Sequence, residues 1–162
     1  MNKLKTVFVD RDGVINQERS DYVKSISELE IYPNVAKNIK LLKDAGFLVV
    51  VITNQSAVNR GIITHEMINQ IHNSIQDHLK KHGTFLDGFY YCPHTPNENC
   101  NCRKPKSGLL QQAILELNID LNSSWMIGDS DSDIEAANSI GCKAIKINDN
   151  FSLDNAVEKI LN

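Results

Sequence analysis

Two carboxylates stand two positions apart in Asp10-Arg11-Asp12-Gly13, directly after the apolar run Thr6-Val7-Phe8-Val9. Residues i and i+2 of an extended chain point to the same side, so both carboxylates would face one crevice. Like charges so close repel, which favours a bound cation or a shared proton. Mg2+ suits such oxygens and keeps positions for water or phosphate. A pair of solvated turn aspartates is the plain alternative, because Asp-x-Asp-Gly alone is a common string. A second polar string, Thr53-Asn54-Gln55-Ser56, ends another apolar run. Its hydroxyl, amide and backbone N–H donors could bind an oxyanion or simply close a turn. Arg103-Lys104-Pro105-Lys106 precedes a helical pattern. A lysine there could reach the crevice and neutralise a phosphoryl group, or belong to a solvated basic turn. Gly128-Asp129-Ser130-Asp131-Ser132-Asp133 adds carboxylates at a further strand end. Asp129 is placed to complete a metal site, whereas Asp131 suits the first turn of a helix, where acidic residues are favoured.

A second cluster has different chemistry. Cys92-Pro93-His94 and Cys100-Asn101-Cys102 supply three thiols and an imidazole, the ligand set of a closed tetrahedral zinc site. With all four ligands from protein, no position stays open for water, so the expected role is structural. An irregular loop without an apolar core needs such a clip, and metal binding supplies folding energy. The clip would also fix Arg103 and Lys104, which follow it directly. The alternative is three unrelated cysteines beside one histidine. Cys142 reads as a small buried thiol. His65, His72, His78 and His82 read as a solvated helix face, and Trp125 as a packing residue.

The strings with chemistry fall at the ends of strand-like runs. Residues 6–9, 47–52, 89–91, 125–127 and 144–147 read as strands. Helical spacing links Val35, Ile39 and Leu42, with Gly46 as the stop. Thr64 can cap a helix carrying Ile68, Ile71, Ile75 and Leu79, with Gly83 beyond it; Ser107 can cap one carrying Leu110, Ala113, Ile114 and Leu117. Ile134 and Ala137 lie on a helix stopped by Gly141, and Val157 and Leu161 on a last one. This alternation predicts an α/β fold, a parallel sheet with helices on both faces. Ligands of such sheets bind beyond the carboxyl ends of the strands. Two stretches, residues 17–32 and 93–105, stand outside the alternation as loops.

The chain has 162 residues, which predicts one domain spanning 1–162. Hydrophobic residues make up 41%, enough for a real core. A net charge of -3 argues against a nucleic-acid-binding surface, though a metal and local groups can still attract an anion. The run at 47–53 is strand-sized rather than membrane-sized, and the N-terminus lacks an apolar signal stretch. The expectation is a cytoplasmic protein with neither membrane nor nucleic acid as partner, compatible with a monomer, its cysteines reduced or metal-bound.

Asp10-Arg11-Asp12-Gly13, Thr53-Asn54-Gln55, Lys104, and Gly128-Asp129 with Asp133, in this order, resemble the four motifs of the haloacid-dehalogenase-like (HAD-like) hydrolases. The resemblance runs over nearly the whole chain. It is closer to one branch, which joins histidinol-phosphate phosphatases and D-glycero-D-manno-heptose 1,7-bisphosphate 7-phosphatases and shares D-R-D-G, T-N-Q and C-P-H…C-x-C-R-K-P. The resemblance implies a Rossmann-like HAD fold with a zinc-clipped loop. Asp10 would be the nucleophile, forming an aspartyl-phosphate. Asp12 would protonate the leaving oxygen and then deprotonate water. Mg2+ would be held by the Asp10 carboxylate, the Asp12 backbone carbonyl and Asp129. Thr53 and Lys104 would stabilise the phosphoryl group, and Asn54, Gln55, Ser56 and Arg103 would contact the substrate. The chain leaves no room for a large cap domain, so residues 17–32 and the zinc loop must close the site over a small phosphorylated metabolite.

The branch leaves two substrates. Thr53 to Ser56, Asn59-Arg60-Gly61, Asp87-Gly88 and Tyr90-Tyr91-Cys92 are similar to the heptose enzymes. The short spacing from His94 to Cys100 and the run Cys102 to Lys106 are similar to the histidinol enzymes. Ser130 departs from the lysine usual in the heptose branch, and Ser20-Asp21-Tyr22 from its usual Gly before Tyr. The 7-phosphate of the heptose bisphosphate is the expected target, with histidinol phosphate as the alternative. A non-catalytic phospholigand module is disfavoured because both Asp10 and Asp12 are present. A phosphomutase is disfavoured because no cap would shield the intermediate from water.

Overall fold

The computed structural model describes residues 2–162. Five strands form one sheet: β1 (Thr6–Val9), β2 (Leu48–Asn54), β3 (Gly88–Cys92), β4 (Trp125–Gly128) and β5 (Lys143–Lys146). Their order is β3-β2-β1-β4-β5, and every pairing is parallel. The helices are α1 (Val35–Asp44), α2 (His65–Lys81), α3 (Gly108–Leu117), α4 (Asp131–Ser139) and α5 (Leu153–Leu161).

The period-two side-chain alternation of a strand divides the core. Val7, Val9, Val49, Val51 and Ile127 face one layer, where Ile39 and Leu42 of α1, Ile71 and Ile75 of α2, and Ala156 and Val157 of α5 cover them. Phe8, Val50, Ile52 and Met126 face the other, covered by Leu110 and Ala113 of α3 and by Ala136 and Ala137 of α4. Strands buried on both faces read as unbroken apolar runs, which is why residues 6–9 and 47–52 were legible as strands.

Boundaries differ from the sequence reading in small ways. β2 begins at Leu48 and continues through Asn54, and β5 spans Lys143–Lys146, a residue earlier than expected. Thr64 caps α2 as expected, its side chain accepting from the Met67 N–H at 3.1 Å. Ser107 does not cap α3 through its side chain. Its Oγ accepts from the Gln111 side chain instead, at 2.7 Å. The start of α3 is tied down by Gly108, whose N–H donates to the Asn101 carbonyl at 3.0 Å. A Cβ on Gly108 would strike that carbonyl. One histidine departs from the expected solvated face: His72 is buried, 5% exposed, on the inner side of α2, while His65 and His82 are exposed. No helix among the described residues is long and apolar enough to cross a membrane.

Candidate active site

The chain leaves β1 toward β2 and β3 on one side and later returns to β4 and β5 on the other, so β1 and β4 meet at a topological switch point. Open parallel sheets bind ligands beyond the carboxyl ends of the strands at such a point. A crevice of about 350 Å³ opens there. Asp10, Asp12, Asn54, Gln55, Ser56, Arg103, Lys104 and Asp129 all line it. Thr53 does not: it lies beneath the wall, 1% exposed, its Oγ1 accepting from Gln55 Nε2 at 3.0 Å. The loop at 17–32 contributes Glu18, Arg19, Ser20 and Tyr22 to the rim.

Lys104 is the buried cation of the site. Its Nζ lies 3.0 Å from Asp10 Oδ1 and 2.5 Å from Asp133 Oδ1, and donates to the Ile52 carbonyl at 2.8 Å. A buried ammonium persists only when so paired. Burial pushes its pKa down, but Asp10 and Asp133 outweigh that and hold it above the ordinary value. The backbone at Lys104 is fixed by a reciprocal pair: its N–H donates to Asn54 Oδ1 at 3.0 Å and its carbonyl accepts from Asn54 Nδ2 at 3.1 Å. Asn54 thus holds Lys104 as well as lining the crevice.

Asp12 is held by three donors. Oδ1 accepts from Arg11 Nη2 and Asn16 Nδ2, both at 2.9 Å, and Oδ2 accepts from Gln55 Nε2 at 2.8 Å. Burial pushes its carboxyl up, but the Arg11 guanidinium and the hydrogen bonds outweigh burial and keep it below the usual range. Asp10 differs. Burial raises it to about 7, helped by Asp133 and Asp12 and opposed by Lys104. Asp129 is raised too, by burial and by Asp133.

Carboxylate oxygens of Asp10, Asp129 and Asp133 lie within 4.8 Å of one another. Asp133 is already committed: Oδ1 pairs with Lys104, and Oδ2 accepts from the Ser130 N–H and hydroxyl. Asp10 and Asp129 remain as oxygens for a hard cation. Gly13 supports that arrangement. Its φ of +88° is a left-handed conformation, and a Cβ there would overlap the Asp129 carboxylate. The glycine therefore lets Asp129 lie against the backbone just after Asp12. Carboxyl groups crowded until their pKa values rise fit a divalent cation, whose charge reverses the effect.

The four predicted zinc ligands converge. His94 Nδ1 lies 3.3 Å from Cys92 Sγ and 3.2 Å from Cys102 Sγ, and Cys92 Sγ lies 3.6 Å from Cys100 Sγ. Cys102 Sγ lies 3.1 Å from Cys92 Sγ. A tetrahedron with zinc–sulfur bonds of about 2.3 Å has sulfur–sulfur edges of about 3.8 Å, so the four atoms are gathered closely enough to share one ion after a small outward shift. The Arg103 N–H donates to Cys100 Sγ at 3.3 Å, so the cluster reaches the residue beside Lys104.

Several site residues went unassigned in the sequence reading. Asp133 appears only as part of the acidic string at 128–133 and of the motif resemblance, with no role of its own, although Ser130 three residues before it spells a capping box. Arg11 is fully buried, and nothing in an isolated arginine signals that. Glu18 stands at the rim, its carboxyl raised by partial burial and by Asp129 and Asp12.

The family model described as HAD-hydrolase-like matches residues 101–160. The fold and the site define the class, a HAD-type phosphatase acting on a small phosphorylated substrate. The chain is 42% identical over 146 residues to the D-glycero-beta-D-manno-heptose-1,7-bisphosphate 7-phosphatase of Haemophilus ducreyi, covering 86% of this chain and 80% of that protein. It is 43% identical over 137 residues to the enzyme of the same name from Helicobacter pylori, covering 84% and 79%. The crystal structure of a D,D-heptose 1,7-bisphosphate phosphatase from B. bronchiseptica, complexed with magnesium and phosphate, superposes with a TM-score of 0.90 at 30% identity, covering 98% of both chains. The chain belongs to this family of HAD-like phosphatases.

Proposed function

We propose that residues 1–162 form one HAD-like domain that removes the 7-phosphate of D-glycero-D-manno-heptose 1,7-bisphosphate through an aspartyl-phosphate on Asp10. The observation that carries this reading is the placement of Asp10 at the switch point, its carboxylate 3.0 Å from a buried Lys104 and beside Asp129. Such a carboxylate has a cation to neutralise an incoming phosphoryl group, and phosphoryl transfer is mostly positioning and charge neutralisation. The names of the curated relatives support the choice of substrate.

Asp10 attacks phosphorus, and the leaving oxygen departs toward Asp12. Asp12 is ionised at rest. It takes a proton as the anionic phosphate enters, because a like charge nearby favours the protonated form, and gives it to the leaving oxygen. As a carboxylate again, it removes a proton from the water that hydrolyses the aspartyl-phosphate. Lys104 balances charge on the phosphoryl oxygens, with Thr53 supporting the β2 end from beneath. Asn54, Gln55, Ser56 and Arg103 contact the substrate. The carboxylates of Asp10 and Asp129 and the Asp12 backbone carbonyl hold Mg2+, which when bound screens charge between nucleophile and phosphate. Cys92, His94, Cys100 and Cys102 hold a structural zinc that keeps Arg103 and Lys104 in register. Phosphate release from heptose 1,7-bisphosphate in Mg2+, with the product's remaining phosphate located by NMR, tests the reading. Histidinol phosphate is the comparator, and faster turnover of it would reverse the assignment.

A further inference from the structure

Arg11 is fully buried, and its guanidinium spans two elements. Nη2 donates to Asp12 Oδ1 at 2.9 Å, while Nη1 lies 3.3 Å from Nε2 of His72 on α2. A guanidinium donates and never accepts. His72 Nε2 is therefore the acceptor, and the ring is neutral with its proton on Nδ1. That ring is clamped: it stacks on Phe89 with centroids 4.5 Å apart and 16° between planes, and meets Tyr91 edge-on at 5.9 Å. The Tyr91 hydroxyl is in turn 2.6 Å from His65 Nδ1. The Arg11 backbone N–H donates to Asp10 Oδ1 at 2.8 Å, so one residue touches both carboxylates of the motif.

We infer that Arg11 and His72 are positioning residues, a brace from α2 and β3 that fixes the orientation of the Asp12 carboxylate. A buried guanidinium keeps its geometry while its hydrogens are paired. Arg11 Nε has no partner among the described residues, so the two Nη ends set the orientation of the fork. Without the His72 acceptor, Nη1 is left unpaired in the interior and the fork turns, so Asp12 loses the one charged donor among its three and keeps only the Asn16 and Gln55 amides. Nothing here touches substrate; the brace acts through Asp12, and the inference rests on the acid and base roles proposed for it.

The test uses leaving groups. The ratio kcat/KM reports the steps up to phosphoryl transfer onto Asp10. A sugar alkoxide needs a proton to leave, whereas p-nitrophenolate does not. His72→Leu is expected to lower kcat/KM for heptose 1,7-bisphosphate about 10- to 100-fold, while that for p-nitrophenyl phosphate changes less than about threefold. His72→Gln, whose amide oxygen can take the place of Nε2, restores the wild-type ratio. Arg11→Lys, which keeps the charge and loses the fork, gives the same split and decides the matter if His72→Leu does not fold. Equal losses on both esters, or none, overturn the brace. Asp12→Asn is measured alongside. If it splits the substrates and the brace variants do not, the brace alone fails; if it shows no split, the role of Asp12 fails and the brace with it.

Discussion

The Lys104 ammonium lies 2.5 Å from Asp133 Oδ1, with 2% and 0% of the two side chains exposed. Asp133 is thereby an internal counter-ion that leaves Lys104 free to lean toward Asp10. Removing one partner of a buried pair strands the other charge, at about 3–5 kcal/mol. Asp133→Asn is expected to destabilise the protein by about 3 kcal/mol in urea unfolding, since Asp10 still partners Lys104. Its kcat should fall at least about 100-fold, the scale seen when a preorganised donor is displaced. Unfolding within about 1 kcal/mol of wild type would show that the pair is not structural.

Gly13 carries a prediction about metal rather than stability. At φ +88°, with the Asp129 carboxylate against it, Gly13→Ala forces Asp129 to move. The backbone strain alone is about 1–2 kcal/mol. The Mg2+ concentration for half-maximal activity should rise about tenfold or more, the size seen when groups around a metal are disturbed. An unchanged requirement in a folded variant would remove Asp129 from the metal site.

The thiol cluster predicts about one zinc per chain by metal analysis. Cys100→Ser should lose zinc, lower the melting temperature and depress kcat, because Arg103 is bonded to Cys100 and Lys104 follows. Stoichiometric zinc in that variant would contradict the ligand set.

His72 predicts an acid-labile term in stability. Burial, and then the Arg11 charge, press its pKa from the ordinary 6.5 down to about 3. Between those values the unfolded chain binds a proton that the folded chain refuses. This contribution is fully present above pH 6.5 and is lost as pH falls toward 3, by up to about 1.4 kcal/mol per pH unit. His72→Gln lacks it, so the wild type's unfolding free energy should fall more steeply than the variant's from pH 6.5 to 4.5. Parallel curves would mean that His72 is protonated in the fold.

What could be read from the residues, and what could not, divides along physical lines. Val7 to Val9 and Val49 to Ile52 announce strands because burial on both faces leaves no polar residue between them. Asp10 and Asp129 are legible because each directly follows such a strand, and Lys104 because it stands between the thiol cluster and the start of α3. His72 was misread because an amphipathic helix shows which face is apolar, and a histidine at its edge can belong to either. Its burial depends on Arg11 and Phe89, which other parts of the chain deliver. Asp133 resembles one more acidic residue in a helix start, and its local partner Ser130 fits that role; its charged partner, the Lys104 side chain, comes from 29 positions away. Ser107 looked like a cap, but Gly108 docking on Asn101 sets the start of α3 instead.

In the proposed mechanism the phosphoryl group passes through Asp10. Enzyme quenched in acid during turnover of heptose 1,7-bisphosphate with Mg2+, then digested and examined by mass spectrometry, tests it most directly. Phosphate is expected on the peptide containing Asp10 and absent from Asp10→Asn, which stays folded and inactive. Phosphate on another residue, or full turnover by Asp10→Asn, would contradict it.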